Sequence, residues 1–168
     1  KGLAIFDQLG DKDGVGDSYF GIGTIYDEQG NYEKALEYYS KSLVIDKELG
    51  DKQGVGFTYN NIGIIHDSQG NYEKALEYYL KSLKILEEQR DKEVIGATYN
   101  NIGVIYMNQG NYEKALEYYS KCLAISKEIG DEEGVGIYYN NIGLLYKDQG
   151  NYEKALEFIL KSKNIFQE

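Results

Sequence analysis

The chain has 168 residues, of which 42% are hydrophobic and 27% are charged, with a formal net charge of −10 at pH 7. This hydrophobic content is enough for a folded core and excludes a disordered chain, while the acidic balance excludes nucleic acid as the main partner, because phosphate binding requires a basic patch. No apolar run approaches the roughly 20 residues that cross a membrane, so we expect no membrane partner, and the single cysteine, Cys122, fits a reducing, cytoplasmic compartment.

A nine-residue string, QGNYEKALE, occurs four times, beginning at Gln29, Gln69, Gln109 and Gln149 and so at intervals of 40 residues. A fixed period of this size is typical of solenoid proteins, in which each repeat buries its apolar face against its neighbours. The phase of the repeat predicts a single array over residues 1–168, opening with the tail of a preceding second helix at 1–10. Four helix-pair repeats are predicted to follow, at 11–50, 51–90, 91–130 and 131–168.

Each repeat divides into two predicted helices separated by the QGN turn. In the second repeat the apolar residues Val55, Tyr59 and Ile62 recur at the spacing of a helix rather than of a strand. Asp51 stands at the N-cap position of this first helix, and Asn71 stands at the N-cap position of the second helix. Subtracting two short turns from the period leaves roughly 16–18 residues for each helix.

Glycine marks the ends of the predicted helices, and its distribution leads to two specific expectations. Arg90 replaces the glycine that ends the second helix at Gly50 and Gly130. Because a left-handed arginine costs more than a left-handed glycine, we expect this junction to be wound differently, with Arg90 still helical. A glycine also recurs inside first helices, as at Gly63, where it costs about 1 kcal/mol relative to alanine. We expect it to allow a close approach to the small side chain of Ala75.

Large, small and aromatic residues follow each other in a fixed order within each repeat. In the second repeat the residues of this order are Tyr59, Ile62, Gly63, His66, Gly70, Tyr72, Ala75, Tyr79 and Ser82. The order resembles the tetratricopeptide repeat (TPR), although the period is 40 rather than about 34 residues and no proline ends the second helix. Long periods of this kind are similar to those of kinesin light chains, cell-polarity adaptors and bacterial signalling proteins. The resemblance implies an all-α fold, a right-handed α-solenoid of stacked antiparallel helix pairs.

Three of the four first helices carry an adjacent asparagine pair within the string YNNIG, although asparagine is a poor helix former. Helical geometry predicts that Ile62 lies on the buried face, Asn60 nearly opposite it and Asn61 on the flank. An amide both donates and accepts hydrogen bonds, so a row of amides can hold the backbone of an extended peptide while apolar neighbours contact its side chains. The residues of this predicted peptide-binding face are Phe57, Asn60, Asn61, Ile64, Asn100, Asn101, Val104, Asn140, Asn141 and Leu144.

Two interpretations of the asparagine row stay open. The resemblance implies that Asn61, Asn101 and Asn141 bind the backbone of a ligand on the concave face formed by the first helices. In the alternative, the same amides bond to the adjacent first helix and connect the repeats, because buried amides are usually satisfied within the protein. The first repeat has Phe20 and Gly21 in place of the pair, so we expect it to bind differently or not at all.

The charge and the end of the chain add expectations about partners. Acidic residues near the predicted face, such as Asp17 and Asp67, favour a neutral or basic peptide over an acidic one. The last second helix carries the apolar string Phe158, Ile159 and Leu160, and terminal repeats normally need a polar outer face. We therefore expect end-to-end homo-association or a longer parent chain.

The sequence predicts neither catalysis nor metal binding. His66 stands where the other repeats have tyrosine, and no second ligand is spaced for a metal ion. Cys122 replaces serine at a small-residue position, so we expect a buried, inert thiol. The leading prediction is a non-catalytic protein- or peptide-binding scaffold without cofactor. The alternative is a regulatory or self-associating segment of a larger signalling protein.

Overall fold

The computed structural model describes residues 2–167, and it describes side chains for residues 5–167, so Lys1 and Glu168, the ends of the predicted array, lie outside the described residues. Within residues 2–167 the regular structure consists of nine α-helices and no strand, which confirms the all-α prediction. The helices are α1 Gly2–Leu9, α2 Lys12–Glu28, α3 Tyr32–Leu49, α4 Lys52–Ser68, α5 Tyr72–Gln89, α6 Lys92–Asn108, α7 Tyr112–Ile129, α8 Glu132–Asp148 and α9 Tyr152–Ile165.

The helices group into two compact units, one ending at Arg90 and the other beginning at Asp91. In the first unit α2 packs against α3 and α4 against α5, and α3 and α4 join the two pairs. In the second unit α6 packs against α7 and α8 against α9, and α7 and α8 join the pairs. Because a short turn connects two helices that pack along their length, each pair is antiparallel. The single array over 1–168 stays a prediction.

Side-chain caps begin most of the helices. The carboxylates of Asp11, Asp91 and Asp131 accept a hydrogen bond from the third residue that follows them, which satisfies a backbone N–H of the first turn. Asp51 occupies the same position before α4 but makes no such bond. Asn71 likewise precedes α5 without a side-chain cap. The sequence therefore located these N-caps correctly, while the carboxylate of Asp51 is left without the usual capping role.

The end of α5 contradicts the expectation for Arg90. Its backbone is left-handed, with φ 60° and ψ 29°, close to the values of 72° and 18° at Gly50 and of 73° and 22° at Gly130. The backbone N–H of Arg90 donates to the carbonyls of Leu86 and Glu87, so the left-handed cap satisfies carbonyls of the last turn. The prediction of a helical Arg90 is wrong, because closing the helix outweighs a conformational cost of about 1–2 kcal/mol for an L-residue.

In three of the four repeats the glycine inside the first helix faces an aromatic ring and not the small residue that the sequence predicted. A Cβ at Gly63 would lie 2.7 Å from Cδ1 and Cε1 of Tyr79, and the same contact recurs in the first and third repeats. In the fourth repeat a Cβ at Gly143 would meet Ile159 at 2.7 Å, and also the backbone oxygen of Ala155 at 3.2 Å. The expected neighbour Ala75 is itself fully buried, but the ring of the tyrosine one turn later fills the space over the glycine.

Candidate peptide-binding surface

In the first unit the predicted face lies along α4. Phe57, Asn61 and Ile64 are each half-buried, so part of every side chain reaches the surface. Asn60 differs, because only 9% of it is exposed. The expectation that Asn60 points away from the core is therefore wrong. A helical-wheel projection assumes one packed face of the helix, whereas α4 packs against both α3 and α5. The second contact narrows the part of the α4 surface that is left exposed.

In the second unit the predicted face lies along α6 and α8. Leu144 on α8 is 40% exposed. The four amides of this unit are half-buried, and they belong to Asn100, Asn101, Asn140 and Asn141. Val104 on α6 packs against the buried cluster formed by Ala115, Tyr119, Ile142 and Leu145, which belongs to α7 and α8. Val104 thus packs against a core cluster that joins one repeat to the next.

The hydrogen bonds of the described residues bear on the two interpretations of the row. Within the second unit, neither Asn101 nor Asn141 has a side-chain hydrogen bond to another described residue of that unit. Within the first unit, Asn61 has none to the described residues there. Asn60, by contrast, has a polar partner. The amides at positions 61, 101 and 141 therefore keep their donors and acceptors for groups outside their own units.

The acidic edge of the face is partly buried. Burial raises the pKa of the Asp67 carboxyl at the end of α4. Burial likewise raises the pKa of Asp27 near the end of α2, and the neighbouring Glu28 raises it further. Desolvation and like charge both disfavour the ionised carboxyl. A positive group placed beside either side chain would favour its ionised form.

His66 and Cys122 occupy packing positions. The ring of His66 stacks on Tyr78 with centroids 5.5 Å apart, as Tyr106 does on Tyr118 in the third repeat at 5.7 Å. Burial lowers the pKa of His66, and Lys74 lowers it further. Cys122 is fully buried, its Sγ lies 3.4 Å from the carbonyl oxygen of Gly96, and burial raises its pKa to about 12. Such a thiol is protonated at neutral pH and is a poor nucleophile.

Lysines cover the tyrosines that line each helix pair. The Nζ of Lys81 lies 4.8 Å from the ring centroid of Tyr78 and forms an ion pair of 2.6 Å with Glu77. The i,i+4 ion pair recurs on each second helix, for example between Lys121 and Glu117 at 2.7 Å. Exposed pairs of this kind contribute little to stability. These lysines belong to the outer surface of the helix pairs and not to the predicted face.

The order of large, small and aromatic residues matches a known family. The sequence model of the tetratricopeptide repeat matches residues 15–88 and 94–168. The chain belongs to the tetratricopeptide repeat family. Its described helices form pairs, and the predicted all-α fold class of TPR proteins is confirmed.

Solved TPR structures extend the comparison. BtubC (BKLC) from P. vanneervenii is 26% identical, with a TM-score of 0.83, over 94% of this chain and 65% of its own. A signal transduction ATPase with numerous domains (STAND) from Pyrococcus horikoshii, which has a TPR sensor, is 27% identical, with a TM-score of 0.82, over 98% of this chain and 28% of its own. Aspartyl phosphate phosphatase F from Bacillus subtilis is 21% identical, with a TM-score of 0.72, over 94% of this chain and 50% of its own, and shows the fold alone. The chain thus spans less than two thirds of each of these proteins.

Three further results complete the comparison. No match was found among the curated proteins. In the part of the chain that the structure describes, no group of three or more histidine, cysteine, aspartate or glutamate side chains is arranged to hold a metal ion. No helix between residues 2 and 167 is long and apolar enough to cross a bilayer.

A cavity in the first unit was not predicted. It has a volume of 260 Å³ and lies between α2, α3 and α4, where Phe57 forms part of its wall. Its most buried charged group is Asp46 on α3. The sequence carries a signal for this position, because the other repeats have Leu86, Ser126 and Phe166 there. A carboxylate at a position that is otherwise small or apolar marks a local departure from the repeat.

Proposed function

We propose that this TPR scaffold binds an extended peptide segment of a protein partner along its first helices, without catalysis of its own. The observation that carries the proposal is the state of the amides of Asn61, Asn101 and Asn141. All three are half-buried, and none bonds to a described residue of its own unit. Amides held on rigid helices with uncommitted donors and acceptors match the alternating N–H and C=O groups of a peptide backbone.

The neighbouring side chains supply apolar contact. Ile64 and Phe57 flank Asn61 on α4, and Leu144 lies beside the pair on α8 with 40% of its surface exposed. Backbone hydrogen bonds give affinity that is independent of sequence, and the apolar groups distinguish one side chain from another. The net charge of −10 favours association with neutral or basic segments over acidic ones. The lone, buried thiol of Cys122 suits a reducing compartment, and we place this function in the cytoplasm.

A second candidate function is self-association or regulation within a larger signalling protein. It is favoured by the apolar surface of α9, where Leu156, Leu160 and Tyr152 are exposed. The STAND protein of similar structure carries its TPR region as a sensor. Under this candidate function the exposed apolar surface of α9 binds another copy or another domain, and peptide binding by the asparagine row is secondary. Light scattering over a concentration series distinguishes the candidates, because self-association raises the mean mass with concentration.

The experiment that tests the peptide site is a triple substitution, Asn61→Ala with Asn101→Ala and Asn141→Ala. A peptide selected from a library on the wild-type chain is titrated against both proteins by calorimetry. If each hydrogen bond contributes about 0.5–1.5 kcal/mol, the triple variant binds at least about tenfold more weakly. Asn108→Ala, an exposed asparagine on α6, is the matched control and keeps the wild-type affinity.

Circular dichroism separates a lost site from a lost fold. The proposal predicts that the triple variant unfolds near the wild-type temperature. Unchanged affinity in a folded triple variant contradicts the proposal. Collapse of the helical signal would instead support the interpretation in which the amides connect repeats.

A further inference from the structure

The cavity of the first unit is built from both acidic and aromatic side chains. It measures 260 Å³ and is bounded by Asp17 and Phe20 on α2, by Asp46 on α3, and by Asp51 and Phe57 at the start of α4. Phe20 and Phe57 are half-buried, so their rings form walls and do not fill the space. Three carboxylates and two aromatic rings surround this opening, whereas the predicted face of the remaining first helices carries amide and aliphatic side chains.

The carboxylate of Asp46 is the unusual member of this set. Only 8% of Asp46 is exposed, and buried carboxylates are normally paired with a positive group. Its Oδ2 accepts a hydrogen bond from the hydroxyl of Ser42 at 3.3 Å, and the hydroxyl of Thr58 also lowers the pKa of this carboxyl. Burial raises the pKa of the Asp46 carboxyl, and the nearby carboxylates of Asp51 and Asp17 raise it further. The cavity therefore holds negative charge that the protein does not neutralise there.

Three lysines of α2, α3 and α4 have partners outside the cavity. Lys52 forms an ion pair of 2.9 Å with Glu88, and Lys12 forms one of 3.0 Å with Glu48. The Nζ of Lys47 lies 5.4 Å from the ring centroid of Tyr59. Among the described residues no ion pair reaches any of the three cavity carboxylates.

Asp51 adds an independent observation. At the other first helices the aspartate in this position accepts a bond from the helix N-terminus, as Asp131 does from the backbone N–H of Gly134 at 2.9 Å. Asp51 makes no side-chain cap bond and lines the cavity instead. Its carboxylate is thus available to a group that enters the opening.

The second unit shows what the same place looks like without this acidic set. There Ser126 stands at the position of Asp46, and its hydroxyl donates to Asp131 at 3.2 Å. Ala97 stands at the position of Asp17. One carboxylate, already hydrogen-bonded, replaces the three of the first unit. The acidic cavity is therefore a local addition to the repeat and not a requirement of TPR packing.

We propose that this cavity is a specificity pocket for a lysine or arginine side chain of the bound peptide. The ammonium or guanidinium group meets the carboxylates of Asp46, Asp17 and Asp51, and the apolar stem lies between Phe20 and Phe57. An organic cation fits better than a metal ion, because the described residues contain no grouping arranged for metal coordination. Aromatic faces attract cations as well as apolar stems. Since Phe57 belongs both to the pocket and to the predicted peptide face, the inference rests on the proposed peptide-binding function.

The probes for this pocket are N-acetyl-arginine amide and N-acetyl-citrulline amide, which have similar shapes and differ in charge. Each is titrated into the isotope-labelled chain, and the backbone amide resonances of Ser42, Asp46 and Gly54 are followed by NMR. The arginine probe is expected to shift these resonances and to bind at least tenfold more tightly than the citrulline probe. Asp46→Ser, the residue found at the equivalent position in the third repeat, is expected to weaken arginine binding at least tenfold.

Two controls keep this result separate from the test of the peptide site. Asp148→Ala, an exposed carboxylate on α8, changes the net charge equally and is expected to leave arginine binding unchanged. The triple asparagine variant is expected to lose peptide affinity but to retain arginine-amide binding, so the two proposals fail independently. Equal binding of citrulline and arginine, or unchanged arginine binding in a folded Asp46→Ser variant, overturns the pocket. Absence of shifts at the three amides overturns it as well.

Discussion

Replacing Gly63 with alanine tests how tightly the helix pairs are packed. In an isolated helix this change is favourable, because glycine costs about 1 kcal/mol relative to alanine at an interior position. In this structure the added Cβ would lie 2.7 Å from two carbons of the Tyr79 ring and 3.2 Å from a third. That ring is 0% exposed, so it cannot move away without displacing other core residues.

The magnitude follows from the balance of these two effects. Overpacking of a well-ordered core costs about 1–3 kcal/mol, which exceeds the gain in helix propensity over most of that range. Gly21 provides the matched control, because it lies inside α2 and a Cβ there meets nothing within 4 Å. Gly21→Ala is expected to raise the free energy of unfolding by about 1 kcal/mol. The difference between the two variants therefore isolates the packing cost of about 1–3 kcal/mol.

The assay is urea unfolding followed by far-UV circular dichroism on the wild type and both variants. Gly63→Ala is expected to have a lower free energy of unfolding than Gly21→Ala by that difference. Combining Gly63→Ala with Tyr79→Ala should abolish the packing cost, since the ring that causes it is gone. If Gly63→Ala stabilises the chain as much as Gly21→Ala does, the close approach of glycine and ring is refuted.

Three other substitutions have defined outcomes. Arg90→Gly is expected to raise the free energy of unfolding by about 1 kcal/mol in urea melts, because it removes the left-handed strain of an L-residue, whereas Arg90→Ala should leave it nearly unchanged. His66→Tyr should remove a loss of stability on acidification: since burial holds the pKa of His66 below its usual value of 6.5, stability from the neutral ring is present above that value and lost as the pH falls below it. The change in melting temperature between about pH 8 and about pH 5 should therefore be larger for the wild type than for the variant, and equal changes would contradict this. Asp46→Ser should be more stable than wild type at neutral pH, because burial raises the folded-state pKa of Asp46 and disfavours its ionised form. This advantage should shrink as the pH falls through the raised folded-state pKa towards the usual aspartate value of 3.8. Calorimetric melts across that range check this, and an advantage independent of pH would refute it.

Local sequence signals predicted the helices because those signals act within a few residues. Asparagine and aspartate mark the N-caps, and α2 and α3 have 17 and 18 residues, within the expected lengths. Arg90 shows where this reasoning fails. Conformational preference alone predicts a helical arginine, but the terminal carbonyls of α5 need partners, and the left-handed cap supplies one.

The candidate site was less predictable than the fold. The period of 40 residues correctly placed Asn61 at a partly open position, but it placed Asn60 at the surface where the structure covers it. Val104 stays a predicted ligand contact, but it also packs against a core cluster of α7 and α8, which the sequence pattern did not show. Burial at these positions depends on a second and a third helix, which the periodicity of one helix does not describe.

The amino-acid sequence by itself determined the family, the all-α class and the places where helices begin and end, because repeat spacing, capping residues and glycines act locally. Only the tertiary structure decided that the ring of Tyr79 and not Ala75 lies over Gly63, and that Asp17, Asp46 and Asp51 surround one cavity. These three aspartates come from α2, α3 and the start of α4, and their separation along the chain hides their proximity. Only packing buries the carboxyl of Asp46 and raises its pKa, while Asp17 and Asp51 stay exposed beside it.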